Sequence, residues 1–360
     1  MLTPAPALRR GRKTRRPRLF IGLMSGTSAD GVDAALATVA RYRGGAVGLT
    51  LEAFATYPYP QDLRARVLKV ATVGRVRLEE LARLHGELGE VFAAAARRLA
   101  RRAKTPLASV TAVGSHGQTV FHGPRPPEGG GQGAATVQLA DPAVIAERTG
   151  CTVVADFRAA DVAVGGEGAP RSPHGHALLF RHPRRGRLIL NLGGIANVSA
   201  VPPGPRGRVP ADVLAFDTGP GNMVLDALME ELSGGAEAFD RGGRRAARGR
   251  ADGGLLAALL KHPYFHRPPP KSTGREAFGR AFAMRVLRGV RRRGGGPEDA
   301  LATATELTAR SIAEQLERFV VAEDPYRELY LSGGGARTRT LAGMIQEALP
   351  ALAVQPVDVL

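Results

Sequence analysis

RLFIGLMSGTSADGVDAALATVA, residues 18–40, reads as strand, tight turn, strand. The apolar run Leu19 to Met24 suits the first strand, and the alternation of Val32, Ala34 and Leu36 suits a second strand buried on one face. RLILNLGGIANVSAV (187–201) repeats the layout in the other half of the chain. Two copies of one unit predict an α/β protein built from two related halves. The rest of the chain supplies further elements of the same kinds. LTLEAFATYPYP (49–60), SVTAVGSHGQTVFH (109–122, a short strand ending in a polar turn) and CTVVADFR (151–158) read as strands. Leu78, Leu81, Leu84, Leu88, Val91, Phe92 and Leu99 recur at helical spacing, which predicts an amphipathic helix over 78–102. TVQLADPAVIAERTG (136–150) gives a strand, then a helix opened by Asp141-Pro142 and closed by Gly150. Residues 213–232 and 328–349 each read strand, Gly-rich turn, helix, with a long helix over 299–321 between them. Composition changes at RHPRRGR (181–187), so the domains are placed at 18–183 and 184–360 after a disordered basic arm at 1–17.

A chain of 360 residues exceeds the usual size of one core, which agrees with two domains. Its 44% apolar and 23% charged residues are those of a globular protein. No apolar run approaches the ~18 residues of a membrane span, and Leu19 to Met24 is too short for a signal-peptide core, so a cytoplasmic protein without a membrane partner is expected. The single Cys151 excludes an internal disulfide framework and a cysteine zinc site, and is expected to be a buried, inert thiol. The net charge of +17 invites a nucleic-acid reading. Only five of the 50 basic residues are Lys, however, and the charge is dispersed apart from clusters at 1–18, 241–250 and 285–293. With 5% aromatic residues and no RNP pattern, no specific nucleic-acid partner is expected.

Four turns carry chemistry. In MSGTSADGVD (24–33), Gly26 and Gly31 permit close backbone approach to phosphates, and Ser25, Thr27 and Ser28 offer hydroxyl donors. Asp30 and Asp33 are hard oxygen ligands suited to Mg²⁺, while a plain polar hairpin turn is the bland alternative. NLGGIANVS (191–199) places Gly193 and Gly194 in the equivalent turn of the second half. FDTGPGN (216–222) sets Asp217 at a strand end before a helix, the place where open α/β sheets bind ligands; it reads as a general base or as a helix cap, and the cap role suits Asn222 better. LSGGGARTR (331–339) puts Gly333, Gly334 and Gly335 between strand and helix, as a ligand platform or a plain connection. His116 and Gln118 in GSHGQT, and Asp156 and Arg158 in ADFR, stand on turns after strands, where paired hydrogen bonds to a polar ligand compete with a structural role.

Taken in order, MSGTSADGVD, GSHGQTVFH, TVQLADP, TVVADFRAADVAVGGEGAP, NLGGIANVS, FDTGPGN, PKSTGRE and LSGGG resemble the anhydro-N-acetylmuramic acid kinase family over roughly residues 18 to 350. The resemblance implies a duplicated actin/hexokinase-like (ribonuclease H-like) two-domain fold with ATP in the interdomain cleft. It implies that Gly26, Thr27, Ser28, Ala29, Asp30, Gly31, Val32 and Asp33 contact the ATP phosphates, with Mg²⁺ near Asp30 and Asp33. Gly193, Gly194 and Gly333 to Gly335 would lie on the second domain's side of the nucleotide, Asp217 would be the catalytic base, and the sugar would sit near His116, Gln118, Asp156 and Arg158. The family's chain continues past the point matching Leu360 with an acidic residue and an apolar helix, so the second domain is expected to be truncated here. Arg171, SPHGH (172–176) and Thr338 also depart from the family pattern. The rival readings are another sugar kinase of the same superfamily and a non-catalytic relative that binds ATP or sugar. The sequence leaves a homodimer open.

Overall fold

The computed structural model describes residues 16–26, 28–42, 45–72, 75–124, 133–170, 172–208, 213–321 and 326–359. The basic arm, apart from Arg16 and Pro17, lies outside the described residues. The chain forms two compact units, Met1–Arg171 and Ser172–Leu360.

In the first unit the chain runs β1 (Arg18–Ser25), β2 (Gly31–Arg41), β3 (Val47–Pro58), α1 (Gln61–Thr72), α2 (Leu78–Arg102), β4 (Val110–Gly123), β5 (Ala135–Leu139), α3 (Pro142–Thr149), β6 (Val153–Val154) and α4 (Ala159–Ala163). The sheet order is β3-β2-β1-β4-β5, with β6 also on β4. β1, β2 and β3 form an antiparallel meander, and β4 lies parallel to β1. β4 is long enough to have two partners. Val113 and Gly114 pair in parallel with β6, and Gln118 to Gly123 pair antiparallel with β5.

Helix α2 covers this sheet because Leu84, Leu88, Phe92, Ala96 and Leu99 form one apolar stripe, each with at most 0% exposure, against Ile21, Val32 and Leu36. Burying each large side chain contributes about 1.5–3 kcal/mol. Glu79 and Glu80 in its first turn and Arg101 and Arg102 in its last complement the helix dipole. Helix α3 begins as the sequence predicts: the Asp141 side chain accepts from Ala143 N at 2.8 Å, Pro142 fills the first turn, and Gly150 ends the helix in the left-handed conformation.

The second unit runs α5 (Pro173–Phe180), β7 (Gly186–Leu192), β8 (Ile195–Val201), β9 (Leu214–Pro220), α6 (Asn222–Leu232), α7 (Gly253–Leu260), α8 (Pro263–His266), α9 (Arg275–Phe278), α10 (Arg280–Arg292), α11 (Pro297–Leu316), β10 (Tyr326–Ser332), α12 (Arg339–Ala348) and β11 (Ala353–Pro356). A π-helical turn over Glu317–Val321 extends α11. The sheet order is β11-β10-β7-β8-β9. Again three strands make an antiparallel meander, and two more lie parallel beside its first strand. The paths β3-β2-β1-β4-β6 and β9-β8-β7-β10-β11 are therefore the same winding, the duplicated actin/hexokinase-like α/β fold.

β7 is buried on both faces, which explains its unbroken apolar run. Leu188, Leu190 and Leu192 pack with Ile312 and Leu316 of α11 and with Leu341 and Ile345 of α12. Ile189 faces the other way, with Ala177 of α5 and Tyr330. Between β9 and β10 a separate helical core gathers Val224, Leu228, Phe265, Phe278, Phe282, Val286, Leu301 and Leu307.

Three local expectations are revised. His116 and Gln118 lie within β4, not on a turn after it, because β5 continues the pairing past them. The strand in CTVVADFR shrinks to two residues. The boundary between units falls at Arg171/Ser172, ahead of the basic segment, because α5 packs on β8 and places Ala177 in the second unit's core.

Candidate active site

The β1–β2 turn is tied down from several sides. Ala29 N donates to Gly26 O at 3.1 Å. The Gln118 carboxamide braces the turn from β4: its Nε2 donates to Gly26 O at 3.1 Å, and its Oε1 accepts from the Ser25 hydroxyl at 2.7 Å. Arg64 of α1 donates to Ser28 O at 3.2 Å and reaches Asp30 at 3.5 Å, while Thr56 donates to Asp33 at 2.5 Å. Ser28, Asp30 and Asp33 are exposed, whereas the side chains of Ala29 and Val32 are buried in the core. These two residues offer a ligand only their backbone. Thr27 lies outside the described residues. Gln118, expected beside the sugar, is 1% exposed and engaged with the turn.

A second cluster forms further along β4. Arg158 Nε donates to His116 Nε2 at 3.0 Å, and His116 Nδ1 stands 3.0 Å from Gly117 O. The geometry assigns His116 as the neutral Nδ1–H tautomer, accepting at Nε2. Arg158 Nη1 donates to Gly168 O at 3.2 Å, and Gly168 N donates to Asp161 Oδ2 at 2.7 Å. The arginine is thereby held in a fixed orientation by His116 and Gly168, the pre-organisation that helps a guanidinium bind an anion. Asp156 is exposed at the start of this segment, with φ 55°. The sequence reading missed His122, Asp161 and Glu167 in this cluster. The GGEGAP segment was the available signal, because a buried Glu between glycines in a polar loop needs partners; Glu167 is 7% exposed.

His122 has its pKa pushed down to about 4, first by burial and then by the Arg158 charge. His176 of α5, whose Nδ1 lies 2.9 Å from Ser199 Oγ, is pushed down to about 4 by burial alone. Both imidazoles are neutral in the fold but protonate in the unfolded chain near the ordinary value of 6.5. The unfolded state therefore binds more protons between pH 6.5 and 4, and stability falls as pH drops through that window. Urea midpoints measured across it should decline, and His122→Gln/His176→Gln should flatten the decline. An unchanged slope in the double variant would place the acid sensitivity elsewhere.

In the second unit three glycine turns meet around the end of β7. The Gly193 and Gly194 carbonyls accept the first amides of α6: Asn222 N to Gly193 O at 2.8 Å, and Gly221 N and Met223 N to Gly194 O at 2.9 and 3.1 Å. Gly221, not Asn222, is thus the N-cap, and the Asn222 carboxamide donates instead to Leu192 O at 3.3 Å. A Cβ on Gly333 would stand 2.6 Å from Asn191 Oδ1, and one on Gly335 would stand 2.7 Å from Asn222 Oδ1. The structure therefore brings Gly193, Gly194, Gly333 and Gly335 together, with Gly333 and Gly334 exposed. Gly221→Ala would put a methyl 2.3 Å from Gly193 O, so the turn must open. The cost is expected to be about 1–3 kcal/mol in stability, read as a lower urea midpoint.

Asp217 sits inside β9, 6% exposed. In register it faces Asn197, which faces Asn191, which faces Ser332, so a polar row crosses four strands. Thr273 N donates to Asp217 Oδ2 at 3.0 Å, and Tyr264 OH donates to the Asp217 carbonyl at 2.6 Å. Asn197 Oδ1 is buried with no hydrogen-bond partner, an arrangement that a native structure leaves only for a reason such as a ligand or water. The sequence reading quoted NLGGIANVS without singling out Asn197, although a polar residue in an otherwise small and apolar strand was the signal. The site thus joins a buried carboxylate, a partnerless amide oxygen and glycine turns exposed at Gly333 and Gly334 in one unit. The other unit carries an anchored arginine and a hydroxyl-rich turn. No group of three or more His, Cys, Asp or Glu forms a metal cage among the described residues.

Comparison with known proteins agrees with these motifs. The family model for anhydro-N-acetylmuramic acid kinase matches residues 18–360. The anhydro-N-acetylmuramic acid kinase of Salinibacter ruber is 44% identical over 347 residues, spanning 96% of this chain and 85% of that protein. Its namesake from Caldanaerobacter subterraneus subsp. tengcongensis is 39% identical over 341 residues, spanning 94% and 85%. The one from Trichormus variabilis is 41% identical over 348 residues, spanning 95% and 86%. With the matched region running through every turn described above, the chain belongs to the anhydro-N-acetylmuramic acid kinase family.

Proposed function

We propose that this protein uses ATP to open the internal ether of 1,6-anhydro-N-acetylmuramic acid and phosphorylate the oxygen released. Family membership supports the kinase activity, and the observation that carries the chemistry is Asp217, buried yet held by the Thr273 amide beside the partnerless Asn197 oxygen. Asp217 takes the proton of a water that attacks the anomeric carbon. The bond from that carbon to O6 breaks, O6 takes the γ-phosphoryl of ATP, and ADP leaves. The products are N-acetylmuramic acid 6-phosphate and ADP. Arg158, fixed by His116, suits the sugar's carboxylate, with His116, Gln118 and Asp156 at the same end of the first unit's sheet. The β1–β2 turn and the glycine turns at Gly193–Gly194 and Gly333–Gly335 supply backbone amides for the phosphates.

Asp30 and Asp33 fit Mg²⁺ by donor type: both are exposed carboxylates, Asp30 on the β1–β2 turn and Asp33 near the start of β2, and this ion commonly takes one or two carboxylates together with substrate phosphates. When bound with ATP it would neutralise charge on the transferring phosphoryl group. Among the described residues no helix is long and apolar enough to cross a membrane, and the cytoplasm supplies the ATP that the reaction consumes.

The test is a coupled ADP-release assay with Mg-ATP and 1,6-anhydro-N-acetylmuramic acid, with product mass checked. ADP together with a 6-phosphosugar is the expected result. Folded protein that binds ATP without releasing ADP would mark a non-catalytic relative.

A further inference from the structure

Lys271, in the segment PKSTGRE (270–276), is 0% exposed. Its ammonium donates to Gln315 Oε1 and to the Tyr264 carbonyl, the latter at 3.3 Å. The rings of Tyr264, Phe319 and Phe216 stand 4.9, 5.2 and 5.8 Å from it. Taking a charge out of water is costly even with such neutral partners and ring faces around it. A buried Met of similar length would fill the space without that cost, so packing alone does not account for the ammonium.

The surroundings of Lys271 converge on one residue. Asp217 N donates to the Lys271 carbonyl at 3.1 Å. Two residues on, Thr273 N donates to the Asp217 carboxylate at 3.0 Å. Tyr264, whose carbonyl the ammonium holds, donates its hydroxyl to the Asp217 carbonyl at 2.6 Å. Gln315 in turn donates to Phe265 O at 2.9 Å, which ties α8 to the end of α11 around the same ammonium.

We propose that Lys271 is a positioning residue for Asp217: its ammonium pins residues 271–273 so that the Thr273 amide aims the carboxylate, and its charge favours the proton-accepting form. The inference rests on the assignment of Asp217 as the base. The Lys271 pKa is lowered to about 8, first by burial and then by the charges of Arg267 and Arg318, with Asp217 opposing them. Arg267 follows α8, Arg318 lies on the π-helical turn, Asp217 on β9 and the Tyr264 phenol on α8; among the described residues these are the charged and titratable groups that face the ammonium. Below pH 8 the ammonium is present, and above it both the pin and the field are lost.

The experiment compares kcat against pH for the full-length enzyme, Lys271→Met and Gln315→Glu, with thermal melts to check folding. Wild type should show an alkaline fall centred near pH 8. Lys271→Met should lose that limb, lower kcat by on the order of 10–100-fold and leave KM for ATP and sugar within about twofold. Gln315→Glu sets a carboxylate against the ammonium and should move the limb to higher pH, which decides the matter should the Met variant not fold. A purely structural lysine would lower activity evenly without reshaping the profile. The same alkaline limb in wild type and both variants, or a wild-type kcat in Lys271→Met, overturns the proposal. Asp217→Asn run alongside separates the two failures: if it is inactive while Lys271→Met is normal, the base stands and the positioning role falls. If Asp217→Asn is active, the assignment of the base itself is lost.

Discussion

Asp217→Asn should lower turnover by roughly 10²–10⁴-fold, the usual contribution of a positioned general base. The substitution keeps the side chain's size and one oxygen, so the Thr273 amide still has an acceptor and the β9 register with Asn197 is kept. ATP affinity should therefore be nearly unchanged, because the glycine turns around the end of β7 are untouched. Steady-state ADP release and calorimetric titration with a non-hydrolysable ATP analogue make the comparison. A variant that turns over at the wild-type rate would show that another group accepts the proton. A variant that loses ATP binding as well would show that the carboxylate holds the unit together rather than performing chemistry.

Phe278→Ala should be strongly destabilising. The ring is 0% exposed, stacked on Phe265 at 5.5 Å and set edge-on to Phe282 and Tyr264 at 5.2 and 5.6 Å. Truncating such a ring costs about 3–5 kcal/mol through lost transfer energy and the cavity left behind. That is a large share of the about 5–15 kcal/mol by which native proteins are stable. The damage should also reach the chemistry, because Tyr264 rests on this ring and holds the Asp217 carbonyl. Urea unfolding should show a lower midpoint with an unchanged slope, and Phe278→Leu should recover most of the loss. A stability within about 0.5 kcal/mol of wild type would mean that the cluster collapses around the gap.

The sequence made the sheets readable because their strands are marked by local chemistry. RLFIGLM and RLILNL are short apolar runs that end in glycine turns, and the capped helix at Asp141 to Gly150 is stated by its own residues. What stayed hidden depends on pairing at a distance. β4 continues through His116 and Gln118 only because β5 lies beside it, and no local signal at GSHGQT reports that partner. The same holds for the site. Asp217 and the glycine turns stand out as residue types, but the brace from Gln118 to Gly26 spans 92 positions, and that from Thr273 to Asp217 spans 56. Asn222 looks like a cap by composition, yet the helix starts one residue earlier, at the Gly221 cap, and the Asn222 carboxamide donates to Leu192 O instead. Polar residues announce that they need partners; tertiary structure decides which ones they receive.

The bonds from Gly221, Asn222 and Met223 to Gly193 and Gly194 have a consequence for how the second unit opens. They join a β-hairpin turn to the start of a helix, so neither can loosen while the other stays closed. Fluctuations there are collective: the three amides exchange with solvent in one event, not by fraying singly from the helix end. The positive end of α6's dipole is also met internally by these two carbonyls. Loosening of the Gly193–Gly194 turn and of the first turn of α6 is then a single motion, with both closed or both open.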